Sequence, residues 1–406
     1  MTVIMVIFWL SVALILYPYV IFPVLVYIRG RLLPRPYQKA NIQPHISMVM
    51  AVYNEEGDIR AKLENINRMD YPVDKLEVVI ASDGSTDRTN EILQQHHGVR
   101  INPLLLPRVG KARALNAAVE QAQGEILIFS DANSLYAPDA LQRLVAPFAD
   151  PNVGGVAGNQ LYTSSKNNNL SQSGEKSYWN FDRNLKRLES RAGNVISATG
   201  AIYAIRRSLF QPIVEGVTDD FYTSTAVIEQ GRRLVFEEDA ISYEAVTPDA
   251  NKEFKRKVRI ISRGLRSVIA RRKLLNPFRY GFYALQLFSH KVLRRLVVFP
   301  MLAAFFTNLI LWQSGLFYTL AAAAQVAFYG ASLVGYLLRG NRSRLLKPVK
   351  YPFYFTLVNV ASLLAVINVL RGNQIALWVP HRAQSSAAGA AAASASAAGQ
   401  KKGNGA

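Results

Sequence analysis

The chain has 406 residues, with 47 Lys and Arg against 28 Asp and Glu, a formal net charge of +19, and no cysteine. The absence of cysteine excludes a disulfide scaffold, a cysteine-ligated zinc site and a cysteine nucleophile. Because 50% of the residues are hydrophobic, a mainly disordered protein is also excluded.

Three stretches of the chain are long, apolar and free of charged side chains, namely 1–28, 296–338 and 351–370. A bilayer core needs about 20 apolar residues in a helix. We therefore predict an N-terminal transmembrane helix at 1–28 and a C-terminal transmembrane region of about three segments at 296–372. Since 1–28 lacks a basic start and is longer than the core of a signal peptide, we expect it to be retained. The Ala/Ser/Gly-rich tail at 373–406 is predicted to be disordered.

Basic residues without acidic neighbours flank these apolar stretches, from Arg29 to Lys39 and again in 339–350. The positive-inside rule then places the intervening domain on the cytoplasmic face of the cell membrane. Whether 351–370 spans fully, and hence the side on which the C-terminus lies, stays open.

Residues 29–250 alternate between short β-rich runs and helical patterns. Runs at 46–52, 76–81, 104–106 and 125–129 read as strands, and helical patterns follow at 59–66, 86–95 and 111–122. Strands separated by helices indicate βαβ units, and hence an α/β domain with a mostly parallel, Rossmann-like sheet. The following segment, 251–295, is predicted to form basic amphipathic, interfacial helices.

Acidic and amide side chains directly follow three of the predicted strands, including Glu55, Asp83 and Asp131. In parallel sheets ligands bind at the carboxyl ends of the strands, so these side chains are expected to share one edge. Carboxylates there are typical of a Mg²⁺ or Mn²⁺ site that binds diphosphate oxygens. Lys111, at the start of a helix after Gly110, adds a positive charge suited to an anion.

Other ligand classes lack their signatures. The sequence contains neither a Walker pattern nor a G-x-G-x-x-G after a strand, which argues against an ATPase or a dinucleotide site. We expect no nucleic-acid partner, because no basic face with stacking aromatics on a recognition fold is apparent.

The strand-end motifs resemble those of family 2 glycosyltransferases with the GT-A fold, specifically the membrane-integrated polysaccharide synthases related to cellulose, hyaluronan and chitin synthases. The matching segments, in chain order, are Val52-Tyr53-Asn54-Glu55-Glu56, Ser82-Asp83-Gly84-Ser85-Thr86-Asp87, Gly110-Lys111 with Ala114-Leu115-Asn116, Asp131-Ala132-Asn133, Thr199-Gly200-Ala201 and Thr218-Asp219-Asp220.

The resemblance implies roles for these residues. It implies that Asp220, beside Asp219, is the general base, and that Asp131 and Asn133 occupy the metal element. The nucleotide-sugar would contact Tyr53, Asn54, Glu55, Asp83, Lys111, Asp131, Arg256 and Arg259. Thr199, Gly200 and Ala201 would form the acceptor-side loop.

The chain departs from the pattern in two places. Asn133 supplies an amide where the family has a carboxylate, and the Q-x-x-R-W motif is replaced by Arg256-Lys257-Val258-Arg259-Ile260. Without the Trp, the aromatic platform expected for an acceptor sugar is missing.

The resulting hypothesis is an inverting, metal-dependent transferase that moves sugar from a UDP-sugar to a growing exopolysaccharide or capsule-type glycan at the membrane. Two alternatives stay open: a single-sugar transferase to polyprenyl phosphate or a lipid-linked oligosaccharide, and a non-enzymatic nucleotide-sensing membrane protein or transporter. Four passes would make a narrow conduit, which leaves homo-oligomerisation open.

Overall fold

The structure is a computed structural model that describes residues 1–96, 98–163, 170–245, 250–338 and 347–373. The tail predicted to be disordered lies outside the described residues, apart from its first position.

The centre of the molecule is a mixed, mostly parallel sheet that has eight strands among the described residues, in the order β3-β2-β1-β4-β7-β6-β8-β5. The strands are β1 (Ile46–Val52), β2 (Leu76–Asp83), β3 (Ile101–Leu106), β4 (Ile126–Phe129), β5 (Leu135–Tyr136), β6 (Val153–Thr163), β7 (Tyr203–Arg206) and β8 (Arg233–Ala245). Strands β3, β2, β1 and β4 are mutually parallel, and β7 joins β4 antiparallel. The predicted α/β domain is confirmed.

Helices cover the sheet and continue beyond it. They are α1 (Thr2–Leu16), α2 (Phe22–Leu32), α3 (Glu56–Asn67), α4 (Thr89–Gln94), α5 (Lys111–Gln121), α6 (Ala140–Val145), α7 (Leu170–Ala192), α8 (Asp219–Glu229), α9 (Ala250–Ala270), α10 (Pro277–Tyr280), α11 (Phe282–Leu287), α12 (Arg294–Leu296), α13 (Val298–Leu311), α14 (Leu316–Leu337) and α15 (Lys347–Leu370).

The sheet is buried on both faces, and strand β1 shows how its sequence fits this position. All seven of its residues are buried. Met48 and Met50 pack into the hydrophobic cluster on one face, while Val49 and Ala51 pack into the cluster on the other. Alternate side chains of a strand point to opposite faces, so a continuous apolar run is what a strand covered on both sides requires.

Several helices are apolar and long enough to cross a membrane. These are Thr2–Leu32, Leu316–Leu337 and Pro348–Leu370, with a fourth if Phe282–Leu296 and Val298–Leu311, bent by 51°, form one span. The N-terminal helix contains a π-helical turn at Tyr17–Ile21 that includes Pro18. A proline lacks the N–H for the regular helical bond, which explains the local change of winding.

Helix α9 joins the sheet domain to the apolar helices. The Ser267 hydroxyl in α9 accepts a hydrogen bond of 2.8 Å from the backbone N–H of Thr218, just before α8. On its apolar side Ile261 packs with Ala361 and Ala365 of α15. The strongly basic α9 is therefore fixed between the start of α8 and a candidate membrane span.

Gly124, just before β4, has no room for a side chain. A Cβ there would lie 2.5 Å from the backbone nitrogen of Ser47 in β1. We expect Gly124→Ala to lower the free energy of unfolding by about 1–3 kcal/mol, the usual cost of overpacking. Thermal unfolding of the detergent-purified protein measures this.

The matched control is Gly57→Ala in α3, where a Cβ would meet nothing within 4 Å. Alanine is favoured over glycine in a helix by roughly 0.5–1 kcal/mol, so this variant should be at least as stable as the wild type. Equal melting temperatures for the two variants would contradict the packing argument.

Candidate functional site

The candidate site lies at one edge of the sheet, where β1, β2 and β4 end. Tyr53 follows β1, Asp83 is the last residue of β2, and Asp131 comes two residues after β4. These strands are adjacent and parallel, so their carboxyl ends meet.

The loops after β1 and β2 are tied together by hydrogen bonds. Asn54, with a positive φ of 52°, accepts a hydrogen bond of 2.8 Å from the backbone N–H of Thr86 through its side-chain oxygen. The backbone N–H of Glu55 donates to the Thr89 hydroxyl at 2.9 Å. The first bond lies before α4 and the second lies at its first residue. Helix α4 begins at Thr89 and not at the predicted residue 86.

Asp83 is fully buried and organises the turn before α5. One carboxylate oxygen accepts hydrogen bonds from the backbone N–H groups of Val109 at 2.6 Å and Gly110 at 2.9 Å, and the other pairs with Arg108. The Arg108 guanidinium lies 3.5 Å from the centre of the Tyr53 ring. The sequence resemblance implies that Asp83 contacts the nucleotide-sugar, and in the structure its two oxygens hold the 108–110 turn.

Lys111 lies between two carboxylates at the centre of the site. Its ammonium is 3.0 Å from Asp131 Oδ1 and 3.0 Å from Asp219 Oδ2. Burial acts to lower the pKa of Lys111, but the two carboxylates outweigh it and hold that pKa above its usual range. The lysine therefore stays charged and brings α5, the loop after β4 and the start of α8 together.

Asp220 lies next to Asp219, and both its burial and that neighbour favour the protonated form of its carboxyl. Burial and the charge of Asp219 raise the pKa of Asp220 to about 6, while the charges of Lys111 and Lys291 act in the opposite direction. A carboxylate with a raised pKa beside a cationic centre suits proton transfer.

The loop at 199–201 packs directly against Asp131. A Cβ on Gly200 would lie 3.0 Å from Asp131 Oδ2, so a glycine permits this approach. The Thr199 hydroxyl is buried with no hydrogen-bond partner among the described residues, and the carbonyl of Ala201 accepts a bond from Tyr136. The structure thus brings the predicted acceptor-side loop to the predicted metal element.

Asn133 points to a different partner. Its side-chain nitrogen donates a hydrogen bond of 3.0 Å to Glu244 of β8. No group of three or more His, Asp or Glu side chains within the described ranges is arranged to hold a metal ion. Mg²⁺ and Mn²⁺ are commonly held by one or two carboxylates together with substrate phosphates, and Asp131 suits that type of site.

Lys62 was missed by the sequence analysis. Its buried ammonium donates hydrogen bonds to the Ser130 hydroxyl at 2.8 Å and the Ser134 carbonyl at 2.5 Å, on both sides of Asp131. Burial lowers the pKa of Lys62 to about 7, and the charge of Asp131 opposes that shift. The sequence feature that could have identified Lys62 is its position beside Leu63, on the buried side of α3.

The two predicted nucleotide-sugar contacts of α9, Arg256 and Arg259, are half-buried, and so is Arg263. Burial, followed by the charges of Arg263 and Arg256, lowers the pKa of Arg259. Arg263, one turn after Arg259, is the one on which the charge of Asp219 acts. The sequence analysis did not select Arg263, and its role at the site stays a proposal.

Comparison with known proteins agrees with this arrangement. Residues 47–214 match the model of Glycosyl transferase family 2. This segment therefore matches the family that the motifs resemble. The resemblance inferred from the motifs is confirmed.

Two curated relatives match about half of the chain. An N-acetylglucosaminyltransferase of Rhizobium meliloti is 28% identical over 230 residues, which cover 52% of this chain and 54% of that protein. A poly-beta-1,6-N-acetyl-D-glucosamine synthase of Staphylococcus epidermidis is 27% identical over 222 residues, 53% of each chain. The chain thus spans about half the length of the curated relatives it matches.

One solved structure extends the similarity to most of the molecule. A mannosyltransferase from Pyrobaculum calidifontis, in complex with GDP-Man and Mn²⁺, has a TM-score of 0.68 and 26% identity, over 90% of this chain and 99% of its own. The GT-A fold implied by the resemblance is confirmed.

We expect Asp83→Asn to destabilise the family 2 domain. The amide replaces one acceptor by a donor, opposite the backbone N–H groups of Val109 and Gly110 or opposite Arg108. An unsatisfied buried polar group costs about 1–3 kcal/mol, measurable by thermal unfolding. Asp74→Asn, at an exposed position, is the control, and equal losses in the two variants would contradict the role of Asp83.

Proposed function

We propose that the chain is a membrane-embedded, inverting glycosyltransferase that moves a sugar from a nucleoside diphosphate sugar to a hydroxyl of a growing exopolysaccharide. The observation that carries the proposal is the charged centre, in which Lys111 bridges Asp131 and Asp219 with Asp220 beside them. The similarity to a poly-N-acetylglucosamine synthase supports a polysaccharide product.

The chemistry requires stabilisation of the diphosphate as it leaves. Lys111 at the start of α5 supplies a fixed positive charge, and Arg263 of α9 is a second candidate because the charge of Asp219 acts on it. Asp131, with the diphosphate oxygens, would hold the divalent cation. A bound Mg²⁺ or Mn²⁺ would neutralise charge that develops on the leaving group.

Asp220 is proposed as the general base. Its carboxylate takes the proton of the acceptor hydroxyl, whose oxygen forms a bond to the anomeric carbon of the donor. The bond from that carbon to the diphosphate oxygen breaks, and its electron pair leaves with the nucleoside diphosphate. One in-line displacement inverts the anomeric centre.

We propose a UDP-sugar as the donor, as implied by the resemblance and supported by relatives named for N-acetylglucosamine. A GDP-sugar is the specific competitor, because the solved mannosyltransferase contains GDP-Man. The test is nucleoside diphosphate release by the detergent-purified protein, with UDP-GlcNAc, UDP-Glc and GDP-Man, each with Mg²⁺, Mn²⁺ or EDTA. We expect nucleoside diphosphate to be released from one donor only, and we expect EDTA to abolish that release.

The same assay with product sizing separates the alternatives. A polymer supports the exopolysaccharide product, whereas one sugar on polyprenyl phosphate would favour the single-addition transferase. Nucleotide binding with no transfer to any acceptor would favour a nucleotide-sensing protein.

The proposed location is the cell membrane, with the domain on the cytoplasmic side.

Asp220→Asn should reduce turnover by about 10²–10⁴-fold, the usual contribution of a general base. Nucleotide binding should stay within about twofold of the wild type, because the proposed role is confined to the proton. The matched control is Asp239→Asn, at an exposed position of β8. If Asp220→Asn and the control have equal turnover, Asp220 is not the general base.

The rate should also depend on pH through Asp220. The base acts when ionised, and its pKa is raised to about 6. Turnover is therefore expected to be high above that pH and to fall about tenfold per pH unit below it. Measuring kcat from pH 5 to 8 tests this; a flat profile in that range would contradict the assignment.

A further inference from the structure

A cleft that shares no residue with the candidate site lies where α2 ends. It is formed by the end of α2, the segment 33–39, the last turns of α7 and the middle of β8, and we call it the α2–α7 cleft. Its volume is about 500 Å³, within the range of small-molecule sites. Helix α2 ends the candidate span Thr2–Leu32, so the cleft lies where a lipid headgroup would meet the protein.

The α2–α7 cleft is lined by more cations than carboxylates. The cationic lining residues are Arg31, Arg35, Lys39, Arg187 and Arg191, and the acidic ones are Glu237 and Glu238. Glu237 pairs with Lys39 at 2.6 Å, and Glu238 pairs with Arg187 at 3.4 Å. Each carboxylate therefore already has a cation of its own, and the charges of three arginines are left over.

These three arginines, Arg31, Arg35 and Arg191, are exposed, and none of them pairs with a carboxylate within the described ranges. Like charges that line one small cleft repel one another, and an anion placed between them removes that repulsion. The guanidinium group also matches a phosphate in shape, because it can donate two parallel hydrogen bonds to it. The cleft is therefore suited to a phosphate group.

A further carboxylate, Asp150, acts on this part of the molecule without lining the cleft. Burial lowers the pKa of Arg233, and the charge of Asp150 opposes that shift. The oxygens of Asp150 accept hydrogen bonds from the backbone N–H groups of Gln38 at 3.4 Å and Asn152 at 2.8 Å. Asp150 is thus engaged by the backbone and by the charge of Arg233.

The backbone that carries the arginines of the cleft is held by hydrogen bonds within the protein. The backbone N–H of Arg35 donates to the carbonyl of Arg191 at 2.9 Å, which joins the segment after α2 to the end of α7. The Arg233 guanidinium donates to the carbonyls of Arg35 at 2.8 Å and Pro36 at 2.9 Å. A ligand therefore meets cations on an ordered backbone, which lowers the entropic cost of binding.

Gly30 allows α2 to lie directly against α7. A Cβ at this position would be 3.4 Å from the carbonyl oxygen of Leu188 and 3.5 Å from the Cβ of Arg191. The candidate span that carries Arg31 is thus packed against the helix that carries Arg191. The cleft combines a cation of the apolar helix with a cation of the sheet domain.

Apolar side chains at the end of α2 are exposed beside the same arginines. Leu32 and Leu33 follow Arg31 directly and are 72% and 61% exposed. Lipid acyl chains would cover these leucines, whereas a soluble anion would leave them uncovered. One turn of chain therefore offers a charged side to a phosphate and an apolar side to the chains attached to it.

We propose that the α2–α7 cleft binds the phosphate of an anionic phospholipid, with Arg31, Arg35 and Arg191 around the phosphate and the two leucines against the acyl chains. Basic pockets next to membrane helices are suited to such headgroups. The inference goes beyond the proposed function, since it requires the membrane location but no step of the sugar transfer. The bound lipid joins α2 to α7 and so holds the sheet domain against the membrane surface.

The binding test uses the full chain purified in detergent and two lipids with identical acyl chains, dioleoyl phosphatidylglycerol and dioleoyl phosphatidylcholine. Native mass spectrometry resolves each bound lipid. Phosphatidylglycerol should occupy its first site at least about tenfold more tightly than phosphatidylcholine. Equal affinities would overturn the proposal. Inorganic phosphate at the concentration of the lipid should not displace it; displacement would indicate a site for a soluble anion and would also overturn the proposal.

Variants with equal loss of charge locate the site. Combined Arg31→Gln, Arg35→Gln and Arg191→Gln should weaken phosphatidylglycerol binding by at least about tenfold, since each cation near a headgroup contributes about fivefold. The matched control replaces three exposed cations outside the cleft by Gln, namely Arg272, Lys273 and Arg279. It should leave the affinity within about twofold of the wild type. Equal weakening in both variants would indicate unspecific attraction and overturn the proposal.

Arg191→Gln alone separates the cleft from the basic flank of the span. Arg191 belongs to α7 and not to the segment 29–39, and its carbonyl still accepts the bond from Arg35. We expect this variant to bind phosphatidylglycerol about fivefold more weakly with an unchanged thermal unfolding midpoint. Unchanged lipid affinity would overturn the proposal. The measurement uses no sugar donor, so its failure and a failure of the proposed transferase activity are observed separately.

Discussion

The Lys111 ammonium between Asp131 and Asp219 is the interaction on which the rest of the site depends. Two carboxylates this close would repel each other without a cation, and a buried ammonium would be strongly disfavoured without both of them. The bridge joins three segments that are far apart in sequence. It therefore fixes, in one place, the start of α5, the loop after β4 and the start of α8.

The three carboxyl groups around this bridge have different surroundings. Asp131 and Asp219 pair with Lys111, whereas Asp220 accepts a hydrogen bond from the backbone N–H of Phe221 and is the carboxyl whose pKa is raised. Adjacent carboxyl groups in unlike environments can take different roles, one binding charge and the other a proton. The division follows from burial and neighbours, since the two side chains are chemically identical.

Local patterns in the sequence were enough to predict the central sheet and its active edge. The apolar run of β1 and the helix opening at Lys111 are visible in a few consecutive residues, and both begin where the pattern indicated. The start of α4 differed, because Thr86 and Thr89 bond to the loop after β1. A contact between loops that are about 30 residues apart has no periodic signature.

Residues whose role depends on packing were not predictable in the same way. Lys62 looks like an ordinary lysine of an amphipathic helix until the turn at 130–134 is placed over it. Arg263 is one of many basic residues in α9. The charge of Asp219 acts on it only because of how that helix packs.

The docking of α9 has a practical consequence for handling the protein. Ser267 of this helix is bonded to the backbone N–H of Thr218, while Ile261 is covered by Ala361 and Ala365 of α15. Removing α15 to obtain a water-soluble fragment would expose the apolar side of α9, which includes Ile261. In water, such a fragment is expected to aggregate through this exposed apolar surface. Helix α15 thus covers the apolar side of α9, and a soluble fragment without α15 would require a redesigned α9.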